Sequence, residues 1–109
     1  AYFVKKVSDD LADLRQRYPQ VPEMAIETRV LDGYVGKGYA VADPPIFQLI
    51  AELAQLEGLV LDPVYTGKAF AAMLAEIEAG RFDGVRDIVF MHTGGVFGVF
   101  PQRAGFTLP

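Results

Sequence analysis

Residues 59–69, which read Leu-Val-Leu-Asp-Pro-Val-Tyr-Thr-Gly-Lys-Ala, place the tightest constraint on how this chain folds. The first three are apolar enough for a strand that is buried on both faces. Proline has no N–H for a strand ladder and pushes the preceding residue out of helical backbone space, so the Asp-Pro pair at 62–63 ends that strand. Apolar residues then recur at helical spacing over 69–77, which predicts a helix that begins near Tyr65 or Thr66.

A strand, a sharp polar turn and a helix N-terminus therefore follow one another directly. In open α/β sheets ligands bind outside the carboxyl ends of strands, where helix N-termini offer N–H groups to anions. An ordinary strand-to-helix connection is the simpler interpretation. However, the order recurs: apolar residues 88–91 lead into His-Thr-Gly-Gly at 92–95. Two neighbouring parallel strands would bring Thr66 and Thr93 to the same edge of the sheet.

Residues 32–39, Asp-Gly-Tyr-Val-Gly-Lys-Gly-Tyr, hold three glycines and two tyrosines. Glycine allows close backbone approach, and tyrosine offers a rigid ring with a hydroxyl at its tip. A flexible surface hairpin would explain the glycines. Aromatic rings at both ends favour a loop that covers a binding site, and both interpretations stay open here.

The remaining segments predict two further helices and one more strand. An amphipathic helix is expected over 4–18, and Met-Ala-Ile-Glu-Thr-Arg-Val-Leu at 24–31 suggests a short strand near a sheet edge. Asp-Pro-Pro at 43–45 is typical of a helix start, with the aspartate as cap, and Gly58 stands in the expected C′ position. The helix after Tyr65 should run to about residue 79.

Composition limits the class of protein. A chain of 109 residues suffices for one small domain, and 51% hydrophobic residues is high for one, so we expect more protein to cover part of its surface. A net charge of −4 argues against nucleic acid or an anionic membrane as partner. The absence of cysteine permits a cytoplasmic location, and neither a membrane-spanning run nor a signal peptide is recognised. Because the chain starts without methionine, we expect a piece of a longer protein.

Few residues could carry chemistry. His92 is the only histidine, which excludes a metal site built from several histidines, so we expect a structural role and no metal site. Asp62 is expected to hold its turn through backbone N–H groups, and Lys68 to point to solvent or a partner. What remains is a set of hydroxyls, which position and polarise but need a cofactor as electron sink. These are Tyr39, Tyr65, Thr66 and Thr93.

With residues 32–39, the tyrosine loop, upstream, the motifs at 62–69 and 92–95 resemble the C-terminal part of the D-cysteine desulfhydrase and 1-aminocyclopropane-1-carboxylate deaminase family. These are fold-type II pyridoxal-phosphate enzymes, and the resemblance covers residues from about 20 to 100. It implies an α/β fold, part of the three-layer α/β/α open parallel sheet of the tryptophan-synthase β-like fold. Residues 1–109 would be the C-terminal part of the larger, cofactor-binding domain.

The resemblance also implies roles for single residues. Tyr39 and Tyr65 would be catalytic and face the substrate, a small amino acid, while Thr66, Thr93 and Gly94 would bind pyridoxal 5'-phosphate. Family deaminases have glutamate and leucine at the two threonine positions, and desulfhydrases have threonine at both, as here. The expected activity is therefore D-cysteine desulfhydrase, which releases pyruvate, sulfide and ammonia. 1-Aminocyclopropane-1-carboxylate deaminase is the alternative.

The chain also departs from the family. Its four lysines do not lie in the motif of the cofactor-binding Schiff-base lysine, and the Gly-rich phosphate loop is not found, so the chain alone is expected to be inactive. In the tyrosine loop Lys37 stands where relatives often have proline, and Ala40 where glycine is usual. The full-length protein is expected to be a homodimer. A free-standing α/β module that binds an anion through its Gly/Thr loops is an alternative of another class.

Overall fold

The computed structural model describes residues 2–107, which belong to two compact units, one up to Asp32 and one from Gly33 onward. The first unit contains helix α1 (Tyr2–Arg17). Exposed lysine–aspartate and arginine–aspartate pairs at i,i+4 line this helix, and none of its residues is buried. Such surface pairs stabilise a helix only slightly.

Helices α2 (Pro44–Glu57) and α3 (Thr66–Glu78) pack against each other in the second unit. The predicted start and end of α2 are confirmed. Prolines occupy its first turn, and Gly58 adopts a left-handed φ of 67° while its N–H donates to the Ala54 carbonyl. The predicted Asp43 side-chain cap is wrong: this carboxylate instead pairs with Lys37 at 2.9 Å.

A small core lies between the two helices and the segment that joins them. Ile50 of α2 and Leu61 of the connection are each 1% exposed. A Cβ on Gly67 would lie 2.8 Å from both the Asp62 carbonyl oxygen and Ile50 Cδ1. The N-terminus of α3 therefore reaches α2 this closely because position 67 carries no side chain.

The C-terminal segment returns to α2 through two short 3-10 helices, Val96–Val99 and Arg103–Gly105. The rings of Phe106 and Phe47 meet edge to face, with their centroids 5.0 Å apart. A Cβ on Gly105 would lie 2.5 Å from the Phe47 ring, so glycine is required at this crossing as well. None of the helices within residues 2–107 is long and apolar enough to cross a membrane.

The strands predicted for 24–31, 59–61 and 88–91 are not present, and residues 2–107 contain no sheet. An apolar run indicates a buried place, whereas a strand also needs a neighbouring backbone that supplies ladder hydrogen bonds. Here the Val60 carbonyl is 3.0 Å from the imidazole Nε2 of His92. Val89 is 89% exposed, so one side of its segment lies open to solvent, while Phe90 on the other side meets Phe70 of α3 edge to face. The predicted α/β architecture is therefore not formed by the described residues themselves.

Substituting Gly67→Ala should lower the free energy of unfolding by about 1–3 kcal/mol, because the new methyl group overlaps backbone and the Ile50 side chain. Gly33→Ala is the control, since a Cβ there meets nothing within 4 Å. Urea unfolding followed by circular dichroism measures both. Equal stability of the two variants would contradict the close approach of α3 to α2.

Candidate active-site wall

The turn between Leu61 and α3 is built around the buried carboxylate of Asp62, which is 1% exposed. Its Oδ1 accepts hydrogen bonds from the backbone N–H groups of Val64 at 2.7 Å and Tyr65 at 2.8 Å. Its Oδ2 accepts from the Thr66 N–H at 3.0 Å and from the Thr66 hydroxyl at 2.6 Å. The predicted role of Asp62 in holding the turn is confirmed.

The hydroxyl proton of Thr66 is engaged in this turn. Its oxygen accepts the Asp62 backbone N–H at 2.8 Å, and its only proton is donated to the Asp62 carboxylate. Thr66 is 3% exposed. A group that reaches this hydroxyl therefore finds an oxygen lone pair and no available proton.

Hydrogen bonding determines the ionisation of Asp62. Burial by itself raises the pKa of this carboxyl, but the Thr66 hydroxyl and the three backbone N–H groups outweigh burial and hold the pKa below its ordinary value. Asp62 is therefore ionised at neutral pH. The ionised carboxylate keeps the N–H groups at the start of α3 oriented toward its own oxygens.

Tyr39 and Tyr65, the two predicted catalytic residues, lie side by side. Their ring centroids are 5.8 Å apart with the planes at 61°, and the side chains are 75% and 60% exposed. Interaction with the Tyr39 hydroxyl, followed by desolvation, raises the pKa of Tyr65. Tyr65 therefore keeps its proton at neutral pH and can donate it in a hydrogen bond.

The tyrosine loop is anchored along α3 by contacts that the sequence analysis missed. At its start the Tyr34 hydroxyl donates to Glu76 Oε1 at 2.8 Å, and this hydrogen bond raises the pKa of Tyr34. Glu76, 6% exposed, also pairs with Arg81 at 2.5 Å. In the middle of the loop the Lys68 ammonium donates to two backbone carbonyls. Lys68 was expected to point to solvent or a partner, so that prediction is wrong.

The loop at 92–95 packs against the Asp62 turn. The Gly94 N–H donates to Nδ1 of His92 at 3.1 Å, so Nε2 carries the proton and donates to the Val60 carbonyl at 3.0 Å. A Cβ on Gly95 would lie 2.6 Å from Asp62 Oδ2. The loop at 92–95 is thus a neighbour of the turn that carries Thr66, and Thr93 is exposed on that loop. Because the Gly94 N–H is already used, this residue would have to contact a ligand through other atoms.

Comparison with known proteins identifies the family. A family model described as "Pyridoxal-phosphate dependent enzyme" matches residues 2–94. The chain belongs to this family. It is 41% identical over 101 residues to a Thermotoga maritima protein named "Putative 1-aminocyclopropane-1-carboxylate deaminase". The match covers 93% of the chain and 30% of that relative, and no solved structure matches. The family resemblance stated from the sequence is confirmed.

The candidate site carries hydroxyl groups, whose chemistry suits contact with pyridoxal phosphate, the cofactor that the family implies. Exposed hydroxyls at Tyr39 and Tyr65, with Thr93 on the neighbouring loop, offer groups that can orient a polar aromatic ring and its substrate. All four lysines of the chain have partners in the structure. Lys5, Lys6 and Lys37 pair with aspartate carboxylates, and Lys68 donates to backbone carbonyls of the tyrosine loop. Each lysine ammonium group is therefore already engaged within residues 2–107.

Asp62→Asn should lower the free energy of unfolding at neutral pH by about 2–3 kcal/mol, because hydrogen bonds to a charged acceptor are lost. The folded-state pKa lies below the unfolded value, so the carboxylate stabilises the fold above about pH 4, and this stability is lost as pH falls through the folded pKa. Urea unfolding at several pH values should show the acid-side loss in the native chain and not in the variant. The exposed Asp32→Asn is the control, and an unchanged pH profile in Asp62→Asn would contradict the assignment.

Ala40→Gly should raise the free energy of unfolding, by up to about 1 kcal/mol, because Ala40 has a left-handed φ of 57° that costs a residue with a Cβ. Ala42→Gly, two residues along, should instead be neutral or destabilising, since it only adds freedom to the unfolded chain. Thermal unfolding compares them. A destabilised Ala40→Gly would show that the backbone is not strained there.

Proposed function

We propose that this chain forms one wall of the active site of a pyridoxal-phosphate-dependent enzyme that acts on a small amino acid. The activity we propose first is deamination of 1-aminocyclopropane-1-carboxylate. The observation that carries the proposal is the exposed Tyr39–Tyr65 pair beside the Asp62 turn. The name of the Thermotoga maritima relative favours the deaminase over other activities of the family.

The two phenols suit a substrate with a carboxylate and an amino group. Pyridoxal phosphate, when bound, supplies the electron sink for breaking a bond next to the substrate's amino carbon. Tyr65 is protonated at neutral pH and can donate a hydrogen bond to a substrate oxygen or hold a proton near the reacting carbon. Tyr39 lies against it. We propose that the Tyr39 ring limits the space available to the substrate.

Thr66 and the 92–95 loop would contact the cofactor ring. The Thr66 oxygen offers a lone pair whose direction is set by Asp62, so it would accept a hydrogen bond. Thr93 lies exposed on the adjacent loop and can still donate its hydroxyl proton. We propose that these two threonines, together with Gly94, line the cofactor side of the wall.

β-Elimination from D-cysteine is the second candidate. It is favoured by the threonines at 66 and 93, where the family resemblance associates glutamate and leucine with deaminases. A glutamate beside the cofactor ring nitrogen could keep a proton there and strengthen the electron sink, as opening a cyclopropane requires. A threonine hydroxyl tunes the ring more weakly, which suits the expulsion of sulfide.

We further propose that segments 59–61 and 88–91 become strands of the family's parallel sheet when more of the protein is present. Both are apolar, and Leu59 and Met91 are 50% and 77% exposed. Burial against further chain would remove this apolar surface from water. The homodimer and the cytoplasmic location stay predictions.

The protein that contains this chain, loaded with pyridoxal phosphate, should convert 1-aminocyclopropane-1-carboxylate into 2-oxobutyrate and ammonia. Tyr65→Phe should lower kcat/KM by about 100-fold or more, because a proton-bearing hydroxyl is lost. Tyr18→Phe, an exposed tyrosine in the first unit, is the control.

Sulfide and pyruvate from D-cysteine, without 2-oxobutyrate, would favour the second candidate. Binding of inorganic phosphate without turnover of either amino acid would contradict both and favour an anion-binding module. Turnover that is insensitive to Tyr65→Phe would remove the tyrosine pair from the site.

A further inference from the structure

Lys68 differs from the other lysines of the chain in what its ammonium group contacts. Lys5, Lys6 and Lys37 pair with aspartate carboxylates on the surface. Lys68 Nζ instead donates to the backbone carbonyl of Val35 at 2.8 Å and to that of Gly38 at 2.9 Å. These acceptors lie about thirty residues earlier in the chain, so the contact joins α3 to the tyrosine loop.

The position of Lys68 is unfavourable by local rules. It lies in the first turn of α3, where the helix dipole favours acidic side chains and disfavours a cation. A residue that breaks a local rule is expected to have a tertiary role that compensates for it. Here the two carbonyl oxygens provide the negative partial charge that the helix start does not.

The loop that Lys68 holds has a backbone that needs support. Gly36 and Gly38 adopt φ values of 72° and 145°, and Ala40 one of 57°. The two carbonyls that bind Lys68 bracket residues 36 and 37, and Tyr39 directly follows the second carbonyl. A Cβ on Gly36 would lie 3.9 Å from Nζ, so the ammonium lies directly against the loop.

We propose that Lys68 is a positioning residue for the Tyr39–Tyr65 pair. Its ammonium group holds the backbone at 35–38, and this contact places the Tyr39 ring against Tyr65. Tyr65 lies three residues before Lys68. The segment 65–68 therefore carries the Tyr65 ring and, through Lys68, fixes the Tyr39 ring. The importance of this placement for substrate handling rests on the proposed function.

The ring geometry can be tested without any activity. In the 109-residue chain with isotope-labelled tyrosine, the native protein should show a nuclear Overhauser contact between the rings of Tyr39 and Tyr65. Lys68→Met should abolish it, and Lys37→Met, which removes the same charge from the loop itself, should retain it. Absorbance titration of the phenols should distinguish the two variants in the same way. The raised pKa of Tyr65 should return toward the ordinary tyrosine value in Lys68→Met and stay raised in Lys37→Met.

Lys68→Arg, which keeps the charge and the donors, should restore the ring contact at least partly. A ring contact in Lys68→Met equal to that in Lys37→Met would overturn the proposal. Circular dichroism checks folding, and Lys68→Gln is the second variant in case Lys68→Met loses its helices. Unfolding of both would also overturn it, because Lys68 would then support the fold as a whole.

In the cofactor-loaded protein Lys68→Met should lower kcat/KM at least about tenfold, mainly through a higher KM, because the substrate contacts of Tyr39 are misplaced. The visible absorbance of the bound cofactor should not change. Failure of the unsubstituted protein to turn over either amino acid would count against the proposed function, and the ring contact would still decide the role of Lys68. Turnover by Lys68→Met equal to that by Lys37→Met would overturn its importance for substrate.

Discussion

The buried carboxylate of Asp62 is the interaction on which the candidate site depends. It gathers three backbone N–H groups and one hydroxyl within a single turn, and it stays ionised because these donors outweigh the effect of burial. Hydrogen bonds from oriented N–H groups also fix where α3 begins. The position of the Tyr65 backbone N–H and the environment of the Thr66 hydroxyl both follow from this one carboxylate.

Two segments distant in sequence meet this turn and its helix. The 92–95 loop lies against Asp62 because glycine at 95 leaves room for the carboxylate, and His92 ties the loop to Val60. The tyrosine loop is attached to α3 through Glu76 and Lys68. None of these attachments is a ladder of backbone hydrogen bonds. The candidate site is therefore held together by hydrogen bonds of side chains, most of them to backbone carbonyls and N–H groups and one, Tyr34 to Glu76, between two side chains.

Membership of the pyridoxal-phosphate-dependent enzyme family agrees with a candidate site made of hydroxyl groups. Under the proposed function the cofactor would supply the electron sink, so protein groups on this side would need only to orient the substrate and exchange hydrogen bonds. The chain spans 30% of the relative it matches.

The sequence by itself determined the features that depend on near neighbours. The three helices, the left-handed Gly58 at the end of α2 and the turn held by Asp62 all follow from residues within a few positions of one another. Tertiary structure decided the features that depend on partners distant in sequence. Apolar runs did not become strands because no neighbouring backbone pairs with them in residues 2–107. Likewise, the partner of Tyr34 lies 42 residues away in sequence, and those of Lys68 lie 33 and 30 residues away. No local pattern encodes a hydrogen bond over such a separation.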